Sequence, residues 1–148
     1  MHRLDKDTTG LMVVAKTVPA QTHLVDALQR REITREYEAV AIGTMTAGGF
    51  VDEPIARHPT KRTHMSVHPM GKPAVTHYRI MEHFRAHTRL RLRLETGRTH
   101  QIRVHMSHLS HPLVGDQLYG GRPRPPTTAS EEAISERKRG VKGKSGDL

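Results

Sequence analysis

Hydrophobic and polar positions alternate most strictly from Arg89 to Glu95, where a leucine follows each of three arginines. Successive side chains of a strand point to opposite faces, so the leucines should face a core and the arginines the other side. Residues 11–15 form instead a continuous apolar run, Leu-Met-Val-Val-Ala. Such a run predicts a strand that is buried on both faces.

Apolar residues at helical spacing predict two helices. The first begins at Pro19 and ends near Arg31, because proline favours the first helical turn. The second is capped by Thr99 and extends to about Leu109. Their apolar faces consist of Leu24, Ala27 and Leu28 in the first helix and of Ile102, Met106 and Leu109 in the second.

Four further segments have strand-like composition. Residues 36–42 predict a strand, with residues 50–55 returning as its partner after a glycine-containing loop. Residues 64–68 and 74–81 flank residues 69–73, which predict a β-turn or a short hairpin loop. The expected fold is therefore α+β, with a mostly antiparallel mixed sheet and flanking helices.

The composition indicates a polyanionic partner. The 148 residues contain 24 Lys and Arg against 15 Asp and Glu, a net charge of +9. The absence of cysteine excludes disulfides, thiolate catalysis and cysteine-ligated zinc. Because no stretch approaches the roughly 18 apolar residues of a membrane span, and no signal peptide is recognisable, we expect a soluble, cytoplasmic protein without a membrane partner.

Residues 122–148 differ from the rest in composition. They are basic, begin Arg-Pro-Arg-Pro-Pro and contain few apolar side chains, so they cannot bury enough surface to offset the entropy of ordering. We therefore expect a folded domain over residues 1–121 and a basic, disordered tail over 122–148. Within this tail, the sequence is compatible with one short helix over residues 130–139.

Candidate chemistry lies in three polar clusters, at residues 2–10, 35–37 and 97–105. Asp5 follows Arg3 closely, and a neighbouring guanidinium favours an ionised carboxylate; alternatively, Asp5 simply pairs with Arg3 or caps a turn. Tyr37 is equally compatible with an ordinary half-buried strand tyrosine. The three arginines of residues 89–95 fit either a solvated strand face or contact with an RNA backbone. Composition and spacing alone therefore predict a basic α+β domain with an RNA partner, and they do not identify a reaction.

Three histidines raise the separate hypothesis of a metal hydrolase. His105, His108 and His111 are spaced at i, i+3 and i+6. These offsets drift around a helix, Pro112 interrupts it, and no His-Glu-x-x-His pattern is present. The sequence therefore favours a site without metal.

Taken in order, the clusters resemble the signatures of the RluA-type family of pseudouridine synthases. His-Arg-Leu-Asp-Lys-Asp-Thr-Thr-Gly-Leu at 2–11 resembles the catalytic motif, and Arg-Glu-Tyr-Glu-Ala-Val at 35–40 the tyrosine motif. Gly-Arg-Thr-His-Gln-Ile-Arg-Val-His at 97–105, followed by His-Pro-Leu-Val-Gly-Asp at 111–116 and by Tyr119-Gly120, resembles the arginine motif. Both order and spacing fit over about residues 2–126.

This resemblance implies isomerisation of uridine to pseudouridine in RNA by base flipping, without cofactor or metal. It makes Asp5 the catalytic aspartate, which attacks C1′ or C6 or removes the 2′ proton. Arg103 would pair with Asp5, with Arg98 as second choice. Tyr37 would stack on the uracil and could take the C5 proton. The residues implied in RNA or substrate binding are Arg3, which would fill the gap left by the flipped base, Arg98, His100, Gln101, and Leu113 in an apolar pocket wall with Leu11 and Val114.

The resemblance also implies a partner and an incomplete domain. The substrate would be stem-loop uridines of large-subunit ribosomal RNA, and the protein would act as a monomer. Members of this type carry an S4-like RNA-binding domain and further catalytic-domain segments that this sequence lacks, so the matched region is expected to be part of a pseudouridine synthase catalytic domain. The alternative from another class is an inactive, RNA-binding remnant of such an enzyme.

Overall fold

The computed structural model describes residues 4–5 and 8–120. Its elements, in chain order, are α1 (Val18–Gln29), β1 (Arg35–Ile42), β2 (Gly49–Asp52), β3 (Ile55–Arg57), β4 (Met65–Val67), β5 (Val75–His83), β6 (His87–Leu94) and α2 (Gln101–His108). These elements confirm the predicted α+β class. Among the residues so described, no helix has the length and apolarity needed to cross a membrane.

A four-stranded antiparallel sheet, ordered β1-β6-β5-β2, forms the centre of the fold. The prediction for β6 is confirmed, since Leu90, Leu92 and Leu94 are at most 4% exposed. They pack in one core cluster with Ile102 and Met106 of α2. The alternation of β6 therefore supplies the surface on which α2, the carrier of the third motif, is placed.

The predicted pairing of residues 50–55 with β1 is wrong. β1 pairs along its whole length with β6, and residues 112–114 bond to its other edge, where Val114 N donates to Val40 O at 2.8 Å. The returning segment instead divides into β2, which pairs with β5, and β3, which pairs with β4. Both edges of β1 are thus satisfied by more distant parts of the chain.

The turn predicted at residues 69–73 is present, but it does not join a hairpin. Gly71 N donates to His68 O at 2.9 Å and closes the turn. However, β4 pairs with β3 in a separate two-stranded ribbon, while β5 belongs to the central sheet. A small second cluster of Ile55, Ala74 and Val104 packs this ribbon against α2.

The helices begin differently from the prediction. α1 is capped by Thr17, whose side chain accepts from Ala20 N, and Pro19 lies within its first turn. α2 begins after His100, which has a left-handed backbone with φ 55° and makes no side-chain capping bond. The predicted cap Thr99 is therefore wrong. Gln101 Oε1 accepts from Arg98 N at 2.9 Å and so fixes the loop that precedes the helix.

Residues 11–15 do not form the predicted buried strand. None of them lies in a strand. Residues 11–14 are exposed, from 42% for Met12 to 101% for Leu11, and Ala15 is half-buried. A strand buried on both faces needs cover on each side and ladder partners at its edges, and the described residues provide neither. The predicted tail at 122–148, including the helix at 130–139, lies outside the described residues.

Candidate active site

The carboxylate of Asp5 is the centre of a buried polar group, here called the Asp5 cluster: Asp5, His100, Arg103, Asp116 and Tyr119. The Asp5 side chain is 6% exposed, and its Oδ2 lies 3.6 Å from both Arg103 Nη1 and His100 Nε2. Within the described residues, Oδ2 receives no hydrogen bond at normal distance. A buried carboxylate oxygen in that state is held by charge alone and keeps acceptor capacity for a ligand.

Arg103 is fixed in place by a second carboxylate. Its Nε and Nη2 donate to Asp116 Oδ2 and Oδ1 at 3.0 and 2.9 Å, a bidentate pair in which Asp116 is 4% exposed. The guanidinium also lies 4.9 Å from the ring centroid of Tyr119. Because two of its three nitrogens are committed to Asp116, Arg103 presents Nη1 to Asp5 in a fixed direction.

The Asp116 side chain is held in turn by the backbone around it. Asp116 Oδ1 accepts from Leu118 N and Tyr119 N at 3.1 and 3.2 Å. Gly120 N closes the turn on Asp116 O at 2.8 Å. A Cβ at Gly120 would overlap that carbonyl oxygen, so only glycine fits this close approach. The turn at 116–120 therefore places Asp116 and Tyr119 together on Arg103.

His100 connects Asp5 to the same turn. Its Nδ1 lies 2.6 Å from the Tyr119 hydroxyl, which also accepts from Met65 N at 2.8 Å. The His100 and Tyr119 rings meet edge to face, with centroids 5.5 Å apart. The ribbon, α2 and the 116–120 turn thus all contribute to the arrangement around Asp5.

Tyr37 lies half-buried on β1, at the margin of the core. Burial raises the pKa of its phenol; Arg35 opposes this effect and the nearby charge of Asp5 adds to it. The phenol is therefore neutral at physiological pH. Tyr37 also lines an open cavity of about 1040 Å³ together with Leu4, Leu11, Leu28 and Arg98. The ring is available as an apolar surface at the edge of this cavity.

The remaining predicted site residues have different surroundings. Arg98, the second choice as partner of Asp5, donates from Nε to Pro73 O at 2.7 Å. Gln101 and Leu113 are both fully buried, which argues against the direct RNA contact expected of Gln101 and the pocket wall expected of Leu113. Leu113 belongs to the main core, and Arg3 lies outside the described residues.

Gln101 stabilises the fold around the start of α2, because its side-chain amide makes four hydrogen bonds to other residues of the protein. Its Oε1 accepts from Thr96 Oγ1 and Arg98 N, and its Nε2 donates to Val75 O and Thr76 Oγ1, at 2.9–3.0 Å. These contacts join the start of α2 to β5. The sequence assigned Gln101 to the site by its place in the motif, whereas its burial makes it a structural residue.

Two of the three arginines on this face of β6 lie in ion pairs. Arg89 lies 3.4 Å from Glu38 and 3.5 Å from Glu82, and Arg91 lies 3.5 Å from Glu38. Of the two interpretations left by the sequence, this geometry favours a solvated, ion-paired strand face over an RNA-binding one.

The β3–β4 ribbon carries positively charged side chains in a part of the sequence that contains no Asp or Glu. No Asp or Glu occurs between Glu53 and Glu82. This stretch contains the β3–β4 ribbon, with exposed Arg57, Lys61 and Arg62, and the exposed Lys72, whose backbone bonds to Ile55 of β3. The ribbon also donates Met65 N to Tyr119 in the Asp5 cluster. A concentration of cations therefore adjoins the buried carboxylates.

The three histidines of the metal hypothesis have separate partners. His105 is buried between Thr76 Oγ1 and Glu53 O, His108 is exposed, and His111 Nδ1 lies 2.9 Å from Ile42 O. Across residues 4–5 and 8–120, no three His, Asp or Glu side chains form a group that could hold a metal ion. The geometry thus gives no support to a metal hydrolase.

Sequence reasoning assigned no role to Asp116 and Tyr119. Both residues stand inside the segment that resembles the third motif, but nothing in their spacing shows that they lie on Arg103. The only available signal was their position just after the helix break at Pro112, where a returning chain can fold against α2.

A family model described as RNA pseudouridylate synthase matches residues 1–108. The chain belongs to this family. The same matched region contains Asp5, Tyr37, His100 and Arg103, so four of the discussed side chains lie within the part that defines pseudouridylate synthases.

Similar proteins agree with that assignment. The chain is 87% identical over 135 residues to the ribosomal large subunit pseudouridine synthases D of Salmonella typhimurium and of Escherichia coli K12. It is 80% identical over 134 residues to that of Pasteurella multocida. These matches cover 90–91% of this chain but 41% of each relative. The chain therefore spans about two-fifths of the length of these pseudouridine synthases.

Two solved human structures share the fold. RNA Pseudouridylate Synthase Domain Containing 1 superposes with a TM-score of 0.71 at 30% identity, covering 88% of this chain and 56% of that one. RNA Pseudouridylate Synthase Domain Containing 4 gives 0.72 at 25% identity, covering 99% and 62%. The sheet and helices described above are thus those of a pseudouridylate synthase domain.

Proposed function

We propose that the Asp5 cluster isomerises uridine to pseudouridine in large-subunit ribosomal RNA. The observation that carries this proposal is the buried Asp5 carboxylate, with Oδ2 3.6 Å from Arg103 and His100 and no hydrogen bond from the described residues. The names of the 87%-identical relatives support the reaction and the substrate class.

The reaction needs an ionised carboxylate and few other groups. The N1–C1′ bond of the uridine breaks, the base turns and C5 joins C1′. C5 then loses its proton and N1 gains one, either directly or by exchange with solvent. No atom of the nucleotide is lost, so positioning of one bound nucleotide accounts for much of the rate. Arg103, held by Asp116, lies beside the Asp5 carboxylate and orients it for its attack on C1′ or C6 or for removal of the 2′ proton.

Tyr37 receives the base. Because its phenol is neutral and half-buried, we assign it to stacking on the uracil rather than to service as an anionic base. A stacked target nucleotide in RNA is inaccessible, and flipping it out costs a few kcal/mol. Stacking on an aromatic ring returns about 1–3 kcal/mol of that cost.

The phosphates of the RNA are expected on the β3–β4 ribbon. Lys61 and Arg62 are exposed at its tip, within the stretch without acidic residues. Replacing both by Gln should reduce the slope of log affinity against log salt by about 1–2. The matched control replaces Arg30 and Arg89 by Gln, which removes the same charge from ion-paired residues that do not line the cavity of Tyr37. An equal loss of slope in this control would contradict the placement.

The proposed activity is tested by incubating the chain with unmodified large-subunit RNA and marking pseudouridine with a carbodiimide. New marks are expected with the wild-type chain and with Asp26→Asn, a change on the exposed surface of α1. Asp5→Asn, which keeps the shape and removes the charge, should abolish them. Full activity of Asp5→Asn would overturn the role of Asp5.

The alternative function, an inactive RNA-binding remnant, predicts a different result in the same assay. It predicts salt-dependent RNA binding by the folded wild-type chain with no new marks. That result would overturn the proposed activity for this chain.

The finer features of the substrate belong to the same proposal. We expect the target uridines in stem-loops, because unstacked loop nucleotides are the least costly to flip. We expect a monomer acting in the cytoplasm. Sedimentation of the chain with a stem-loop RNA tests the stoichiometry, and a complex with two protein chains per RNA would contradict it.

A further inference from the structure

We propose that His100 is a positioning residue for the Asp5 carboxylate and that Tyr119 selects the required tautomer of its ring. This inference rests on the proposed function, because it concerns the same reaction. It adds a neutral hydrogen-bond donor beside the charged Arg103.

The directions of the hydrogen bonds around Tyr119 are argued from Met65 N, because a backbone N–H can only donate. Met65 N is a backbone donor, and it lies 2.8 Å from the Tyr119 hydroxyl oxygen. That oxygen therefore accepts from Met65, and its proton is free to point at His100 Nδ1, 2.6 Å away. We take Nδ1 as the acceptor of that proton, because this tautomer places the ring proton on Nε2, the nitrogen that faces the Asp5 carboxylate.

The Nε2 proton faces the candidate catalytic group. His100 Nε2 lies 3.6 Å from Asp5 Oδ2, and His100 is 17% exposed at its side chain. Arg103 Nη1 lies at the same distance from the same oxygen. Arg103 is held by its bidentate pair with Asp116, and His100 is held by its contact with Tyr119. His100 Nε2 is therefore a second donor that is fixed beside Oδ2.

The backbone keeps the ring in this orientation. His100 has φ 55°, a left-handed conformation that is uncommon for a residue with a side chain. Its carbonyl begins α2 by accepting from Val104 N at 2.9 Å. The conformation directs the chain into α2, which carries Arg103 one turn later on the same helix. Both partners of Asp5 thus come from one short segment.

The tautomer is measured directly by ¹⁵N NMR of the histidine rings in the intact chain. We expect Nε2 of His100 to be protonated in the wild type. Tyr119→Phe should raise the population of the Nδ1-protonated form, since the hydroxyl donor is gone. A wild-type ring protonated on Nδ1, or no change in Tyr119→Phe, would overturn the inference even if the chain shows no activity.

The kinetic arm separates positioning from folding. His100→Leu should lower kcat by about 10- to 100-fold with little change in KM, the loss expected for a hydrogen bond to a charged group. His100→Gln, whose amide can donate from nearly the same place, should recover most of this loss. Equal kcat for His100→Leu and the wild type would overturn the positioning role. Absence of activity in the wild type would overturn the proposed function and leave the NMR result as the decision on His100.

Discussion

Residues 11–15 and residues 113–119 both adjoin the Asp5 cluster, one in sequence and one in space, and they are held in different ways. The first segment is apolar, lies in no strand and exposes Leu11 completely. The second contains fewer apolar side chains, yet Leu113 is fully buried and Asp116 is 4% exposed. The two segments differ in burial because they differ in hydrogen-bonding partners. Residues 113–119 bond to β1, Arg103 and the ribbon, whereas no described strand pairs with residues 11–15. Hydrophobicity alone does not place a segment in a core.

Removal of the carboxylate of Asp116 should cause the largest loss of stability. Asp116→Ala leaves Arg103 buried without its bidentate partner, which costs about 3–5 kcal/mol of unfolding free energy. Asp26→Ala, in an exposed ion pair on α1, should cost at most about 1 kcal/mol. Urea denaturation measures both, and similar losses at the two positions would show that the Asp116 side of the cluster is held no better than the surface.

Truncation of leucines compares the two regions directly. Leu92→Ala empties a fully buried position in the core and should cost about 2–5 kcal/mol. Leu11→Ala removes a fully exposed side chain and should change the unfolding free energy by no more than about 0.5 kcal/mol. A loss above about 2 kcal/mol for Leu11→Ala would contradict the exposure of residues 11–15.

Acid should weaken the well-packed region through His105. Burial lowers the pKa of this ring, although its bond to Glu53 O opposes the effect. In the unfolded chain this histidine has a pKa near 6.5. Below that pH the unfolded chain binds a proton at His105 more readily than the folded chain does. Stability is therefore complete above about pH 6.5 and falls below it by up to about 1.4 kcal/mol per pH unit.

Chemical denaturation between pH 7 and pH 5 tests this slope. His105→Gln should flatten it, and a residual slope is expected from His87, whose pKa burial also lowers. His23→Gln, on the exposed side of α1, should leave the slope unchanged. An unaltered slope in His105→Gln would refute the assignment.

The smallest effect is expected at the start of α1. Thr17→Ala removes the side-chain oxygen that accepts from Ala20 N and should cost about 1 kcal/mol. Amide hydrogen exchange should rise within α1 and stay constant in α2. Equal increases in both helices would show that α1 unfolds together with the core rather than by itself.

Local patterns predicted those parts of the fold that depend on local physics. The alternation of β6 gave its faces, because the pleat fixes side-chain direction, and helical spacing gave the apolar face of α2. Strand pairing was missed for residues 50–55, since both edges of β1 are taken by distant segments. Residues 11–15 were misassigned because a continuous apolar run carries no information on its neighbours.

The site divides in the same way. Asp5, Tyr37, His100 and Arg103 were named from motif resemblance, and the structure brings Arg103 and His100 to the same distance from Asp5. Gln101 has a supporting place instead, and the contribution of Asp116 and Tyr119 emerged only from three-dimensional contacts. Spacing along one helix can be read from a sequence, whereas a side chain that arrives from a later turn cannot.

The sharing of Arg103 between two buried carboxylates gives the molecule an electrical polarity. One guanidinium faces Asp5 and Asp116 at once, so the centre of the cluster is acidic although the chain as a whole carries a charge of +9. A nucleotide has the opposite layout, with an anionic phosphate at one end and a neutral base at the other. For the RNA substrate proposed above, the exposed cations of the ribbon attract the phosphate and the two buried carboxylates do not, so these charges favour entry of the nucleotide with its base first.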